Sequence, residues 1–224
     1  MASSVSVVVV TYNAMPWIER CLESVAEYEL VVVDHGSTDG TLELVRERWP
    51  LARLIERENL GFGAGSNAGM RLASGRYFLL LNSDAWAVED AVERLAEFAD
   101  EHPEAAVVGP RLRNPDGSLQ RSVRGVPTLW RLATEYLFLR KLAPGTRALN
   151  SFYAGGFDHD HVHEAEVLMG ACLLVRREAE RARRFMRASL RLRSLVFRGE
   201  RRRTYVEAAR WLRSPVPALL ESRR

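Results

Sequence analysis

The chain has 224 residues, 47% of them hydrophobic and 27% charged, which suits one α/β domain, or one with a short appendage, and excludes disorder throughout. Two cysteines, Cys21 and Cys172, far apart in the chain, exclude a disulfide framework, and no apolar run approaches the roughly 18 residues of a membrane span. The net charge of +3 hides a division, because residues 1–175 carry 16 basic and 24 acidic side chains while residues 176–224 carry 16 basic and 5 acidic.

Val5–Val10 and Leu30–Val33 are apolar, largely β-branched runs that end in Thr11-Tyr12-Asn13 and Asp34-His35-Gly36-Ser37. Such runs predict strands buried on both faces of a parallel sheet. Between them Pro16 can open a helix, with Ile18, Cys21, Leu22 and Val25 at helical spacing, so the segment reads as a βαβ unit. A helix is predicted over 41–49, a short strand over 51–55, a glycine-rich turn into a helix ending near Gly75, and a strand over 77–81. Another helix follows over about 89–100, then a strand at 106–108. This alternation predicts a mostly parallel, doubly wound α/β sheet, in which ligands bind beyond the carboxyl ends of the strands. Asn13, Asp34 and Asp84 all fall there.

Past Pro110 the alternation breaks. Asn114-Pro115-Asp116-Gly117 predicts a turn between short extended pieces, and 128–139 an amphipathic helix. Residues 143–164 read as a loop and 167–175 as one more strand. From Arg176 onward the pattern is helical and arginine-rich, with a break at Gly199 and a stop at Pro215. The expected organisation is a sheet domain over 1–175 and a basic helical tail over 176–224.

Asp34 and Asp84 could each cap the turn that follows, as Asp often does. Two such acids at adjacent strand ends point instead to a site. Gly63-Ala64-Gly65-Ser66-Asn67-Ala68 fits G-x-G-x-x-A, a dinucleotide fingerprint, but Arg57-Glu58-Asn59-Leu60 separates it from the preceding strand, where the fingerprint needs a tight turn. Close helix packing is the simpler account of these glycines. Asp158-His159-Asp160-His161-Val162-His163 would put three imidazoles on one side of an extended segment, yet no further ligand is spaced to complete a metal site, and a solvated loop is expected.

VSVVVVTYNAMPWIERCLESV, VVVDHGSTDGT, NLGFGAGSNAGMRLASGRYFLLLNSDA and LMGACLLVRREA, spanning Val5–Ala179, resemble in order the motifs of family 2 glycosyltransferases with the GT-A fold, especially the rhamnosyltransferase-like branch. The resemblance implies a GT-A-like α/β domain. Its implied reaction is inverting transfer of a sugar from a nucleotide-diphosphate donor to a hydroxyl in bacterial cell-surface polysaccharide assembly. It also implies a donor site of Thr11, Asn13, Asp34, Ser37, Asn67, Arg71, Asn82 and Asp84, with Asp84 as ligand of Mg²⁺ or Mn²⁺. His35 stands where family members usually have Asn.

An inverting transferase needs a general base. The family's glutamate-aspartate base motif, expected after the strand ending in Val175, is absent, because Glu178 and Ala179 run directly into Glu180-Arg181-Ala182-Arg183. Impaired transfer is therefore expected, with Glu164, Glu166, Glu178 and Glu180 as substitute bases in principle and donor hydrolysis as a residual activity. A nucleotide-sugar-binding or membrane-surface interaction protein without catalysis is the alternative. Residues 1–4 lack a basic leader region, so a cytoplasmic protein is expected. Apolar and arginine side chains interleave over 181–213, which fits peripheral contact with the inner face of an anionic membrane carrying a lipid-linked or polysaccharide acceptor, while nucleic-acid binding is not expected.

Overall fold

The computed structural model describes residues 4–124, 126, 128–137, 146, 161–165, 167–178 and 216–222. The apolar runs form the middle of a six-stranded sheet. Strands β1 (Val5–Thr11), β2 (Glu29–Asp34), β3 (Arg53–Glu56) and β4 (Tyr77–Asn82) pair in parallel in the order β3-β2-β1-β4. Sequence order reverses between β1 and β4, which creates the crevice at which open α/β sheets bind ligands. The helices that return the chain are α1 (Trp17–Glu23), α2 (Thr41–Arg48) and α3 (Phe62–Leu72).

Both faces of the sheet are covered, which is why its strands show no polar alternation. Val5, Val7 and Val9 pack with Ile18, Cys21, Leu22 and, from α4 (Ala91–Glu101), Leu95. Val8, Val31 and Leu80 form the opposite layer, against which Met70 of α3 packs. Helix α3 reaches the sheet through glycine: a Cβ at Gly69 would lie 2.3 Å from Val8 Cγ1, and one at Gly65 would lie 2.8 Å from both His35 Nε2 and Val10 Cγ1. Gly63 and Gly65 thus sit inside a helix rather than at a strand-to-helix turn, and the dinucleotide fingerprint is not formed.

After β4 the next strands are short. In chain order they are β5 (Ala85–Ala87), β6 (Val107–Val108), β7 (Pro110–Arg113), β8 (Leu119–Gln120) and β9 (Val123–Arg124). The β7–β8 pair is the hairpin predicted around Asn114–Gly117, and α5 (Leu129–Tyr136) lies within the predicted 128–139 helix. The single strand predicted over 167–175 is divided into β10 (Val167–Leu168), paired with β9, and β11 (Cys172–Arg176), antiparallel to β4 and followed by β6. The division arises because the Met169 N–H donates to Ser122 O at the small sheet, while Ala171 O accepts from Asn82 N–H at the large one.

The seven residues after the Pro215 stop are a strand, β12 (Val216–Ser222), not a continuation of a helical tail. Pro215 and Pro217 disfavour helix, and the segment satisfies its backbone by lying between β5 and β7 in the four-stranded sheet β5-β12-β7-β8. The helix predicted before Pro215, the membrane contact over 181–213 and most of the 143–164 loop lie outside the described residues. Among the described residues no helix is long and apolar enough to cross a membrane.

Arg176 and Arg177 begin the basic segment in sequence but are built into the sheet domain. Arg176 donates to the Tyr77 hydroxyl at 3.0 Å and to the carbonyls of Ala99, His102 and Ala105, taking up acceptors at the end of α4. Arg177 donates to the carbonyls of Ala73 and Gly75 beyond α3.

Candidate active site

Strand register brings the candidate residues to one edge. Thr11 stands opposite Asp34, and Val10 opposite Asn82, so the ends of β2, β1 and β4 are level. At about 4.8 Å between neighbouring strands, Asp34 and Asn82 are separated by roughly 10 Å, a span that a diphosphate and its ribose can bridge.

Two loops at this edge are stitched together. The Asp34 carboxylate is buried and accepts the N–H groups of Gly36 and Ser37, each at 2.9 Å, and the Ser37 hydroxyl. The capping role open to any Asp is therefore realised here, and three of about four acceptor positions are used. Ser37 Oγ also accepts the Asn13 N–H at 2.9 Å, and Asn13 Oδ1 accepts the Thr38 N–H at 2.8 Å. Asn13 has φ of 50°, the left-handed conformation that Asn tolerates better than most residues. Thr11 is buried, and its Oγ1 has no hydrogen-bond partner among the described residues.

Asn82 closes β4, with its N–H donating to Ala171 O at 2.9 Å. Asp84 follows in the turn between β4 and β5, with its side chain partly open to solvent. Among the described residues no group of three or more His, Cys, Asp or Glu could hold a metal ion. His161 and His163 are among those residues, and His159 lies outside them. A lone carboxylate does not make a cage for a resident metal. It does suit Mg²⁺ or Mn²⁺ arriving with a diphosphate, since Mg²⁺ commonly takes one or two carboxylates plus substrate phosphates.

Two candidates are not brought to this edge. Helix α3 runs against the strands: Gly65 lies against His35 and Val10, Gly69 against Val8 and Val33, and Leu72 O accepts from Arg53 at the start of β3. Arg71 therefore sits in the last turn, at the far edge of the sheet from Asp84, and Asn67 lies part-way down the helix. The family resemblance implied that both face the donor, but the direction of the helix carries Arg71 away from the strand ends. Glu178 fails as a substitute base for the same reason, because β11 is antiparallel and delivers its end beside Tyr77 at the start of β4. Glu164 is exposed, and Glu166 and Glu180 lie outside the described residues.

Five further residues shape the site. Tyr12 exposes 56% of its surface directly after β1, beside Thr11. Asp39 accepts the Met15 N–H at 2.9 Å and the Thr41 hydroxyl at 2.6 Å, and Thr41 Oγ1 accepts the Ala14 N–H at 3.0 Å. Burial acts to raise the Asp39 pKa, but these donors outweigh it and hold the carboxyl below its ordinary value. The Arg57 N–H donates to Asp34 O, and its guanidinium donates to Ala64 O. Asp39 and Thr41 were available in the stretch DHGSTDGT, where a second acid follows the first at a turn; Arg57 had no comparable signal. His35, in the place of the usual Asn, is buried under α3 and holds Thr11 O through its N–H at 3.0 Å.

A sequence model of the family described as glycosyl transferase family 2 matches residues 6–178. The N-acetylglucosaminyl-diphospho-decaprenol L-rhamnosyltransferase of Mycobacterium tuberculosis is 30% identical over 200 residues, covering 80% of this chain and 63% of that protein. A chondroitin synthase of Pasteurella multocida is 37% identical over 125 residues, 51% of this chain and 13% of its own length. The chain thus spans less than two thirds of either relative. In fold it is similar to Staphylococcus aureus TarS 1–349 in complex with UDP-GlcNAc, with a TM-score of 0.57 at 20% identity over 98% of this chain and 58% of that one.

Proposed function

The chain belongs to glycosyl transferase family 2, and from that premise we propose that it takes a sugar from a nucleoside-diphosphate donor and passes it, with inversion, to a hydroxyl acceptor in bacterial surface-polysaccharide assembly. The observation that carries this reading is the levelling of Thr11 with Asp34 and of Val10 with Asn82, which puts the loops that follow β1 and β2 and the Asp84 turn on one edge. Relatives named as a decaprenol-linked rhamnosyltransferase and a chondroitin synthase support a carbohydrate acceptor, the former a lipid-linked one. A lipid-linked acceptor at the inner face of the membrane would suit the basic segment 181–213.

In this reading Asn13, Asp34 and Ser37 hold the nucleoside in a loop already ordered by their own hydrogen bonds. Thr11 supplies a buried hydroxyl between the two halves of the site, and Tyr12 an aromatic face. Asn82 and Asp84 meet the diphosphate, and Mg²⁺ or Mn²⁺ shared between Asp84 and the phosphates would offset the charge that develops on the leaving group. With the family's base motif absent, transfer to an acceptor is slow and water competes for the donor. The test is release of nucleoside diphosphate from a panel of donor sugars, with and without Mn²⁺ and with and without lipid-linked or polysaccharide acceptors. Metal-dependent release is expected, and no release from any donor would overturn the assignment.

A further inference from the structure

The turn that carries Asp84 is gripped from one side by the last turn of α1 and its C-cap, Ser24. Cys21 is fully buried and its thiol donates to Asn82 O at 3.4 Å, so Asn82 is pinned through its carbonyl by α1 and through its N–H by Ala171. Five residues later, the Ala87 N–H donates to Ser24 Oγ at 3.0 Å, while the Ser24 hydroxyl donates to Cys21 O at 2.7 Å. Between these two bonds the Arg20 guanidinium lies 3.9 Å from the centroid of the Trp86 ring. Arg20, Cys21 and Ser24 thereby bracket the whole segment from Asn82 to Ala87.

The other end of α1 is fixed to the nucleotide-facing loops. Ala14 O accepts the N–H groups of Trp17 and Ile18, and the N–H groups of Ala14 and Met15 donate to Thr41 and Asp39. One short helix therefore joins the loop of Asn13, Asp34 and Ser37 to the turn of Asp84. We propose that Cys21 and Ser24 are positioning residues for Asp84, and that α1 sets the distance between the nucleoside end and the metal end of the donor site. The proposal rests on the reading of Asp84 as a metal ligand. Its chemical logic is that a single carboxylate, without a cage of further ligands, discriminates a metal-bound diphosphate only if the backbone beneath it is held.

The test uses the full chain with UDP and dTDP as probes, titrated calorimetrically with and without Mn²⁺, together with amide hydrogen exchange of residues 83–87 in the absence of both ligands. Wild-type protein is expected to bind one nucleotide more tightly with Mn²⁺, and Asp84→Ala to lose that gain. A wild type with no such gain would count against the functional reading, while the exchange arm still decides the positioning role. Ser24→Ala is expected to reduce the Mn²⁺-dependent gain about three- to tenfold, the span set by one hydrogen bond, with metal-free nucleotide affinity retained. Exchange at Asp84 and Ala87 should accelerate in that variant, and Ser24→Thr, which keeps the hydroxyl, should restore both. Cys21→Val, which keeps the apolar volume but removes the thiol donor, should act in the same direction. Unchanged exchange at 83–87 in both Ser24→Ala and Cys21→Val would overturn the proposal, as would an equal loss of metal-free and metal-dependent binding.

Discussion

Ser37 donates its hydroxyl to the Asp34 carboxylate and with the same oxygen accepts the Asn13 N–H at 2.9 Å, so one side chain joins the loops that end β1 and β2. Ser37→Ala removes a donor from a buried carboxylate and an acceptor from a backbone amide. A loss of about 1–3 kcal/mol in urea unfolding is expected, together with weaker nucleotide binding. Equal nucleotide affinity in wild type and variant would show that the loop needs no such clasp.

Asp84 lies in a turn, partly open to solvent, and its removal should leave the core intact. For Asp84→Asn we expect an unchanged unfolding midpoint, unchanged binding of nucleoside diphosphate without metal, and loss of the Mn²⁺-dependent increase. Calorimetric titration at constant ionic strength measures all but the first.

Gly69 faces Val8 in the middle of the sheet, where a Cβ would come within 2.3 Å of Val8 Cγ1. Alanine favours helix by about 1 kcal/mol, but overpacking a closed core costs about 1–3 kcal/mol, so Gly69→Ala should destabilise on balance. Gly65→Ala should also displace the His35 ring, and with it the β2 loop. For that variant, nucleotide affinity should fall along with the denaturation midpoint.

Arg176 satisfies three carbonyls around the end of α4 and the Tyr77 hydroxyl, with its guanidinium 5.1 Å from the Tyr77 ring centroid. Arg176→Met leaves those acceptors without their charged donor, at a cost of about 2–4 kcal/mol. Hydrogen exchange should accelerate first over 99–105, well away from Asp84.

Glu29 is pulled upward in pKa by burial, but the Ser6 hydroxyl, the Ser74 N–H and hydroxyl, and Arg53 outweigh that and leave it below the ordinary 4.5. A carboxyl depressed in the folded state stabilises above its unfolded pKa, and that contribution is lost as pH falls through the folded value. Stability should therefore decline below about pH 4.5. Glu29→Gln should be less stable than wild type at pH 7 yet show a shallower decline as pH falls below about 4.5, measured by urea unfolding as a function of pH.

The large sheet was legible because its strands are buried on both faces and so read as continuous apolar runs. The crevice followed from where those runs stop, and Asn13, Asp34, Asn82 and Asp84 are all at the observed edge. Strands of two or three residues, such as β5, β6, β9 and β10, are too short to show a period, which is why Val167–Val175 read as one strand although a turn divides it. Arg71, implied as donor-facing by the family resemblance, lies in the last turn of α3 because a motif does not say which end of a helix lies over the strand ends.

The four parallel strands, the helices between them and the acids at their ends were determined by the sequence itself, since burial on two faces demands uninterrupted apolar runs and ligand-facing loops begin where those runs end. Tertiary structure alone decided that β11 runs antiparallel, that Pro215 is followed by a strand inserted between β5 and β7, and that Cys21 and Ser24 brace the Asp84 turn. Each of these depends on backbone groups of distant segments finding one another's donors and acceptors. Such pairings leave no periodic trace in either partner.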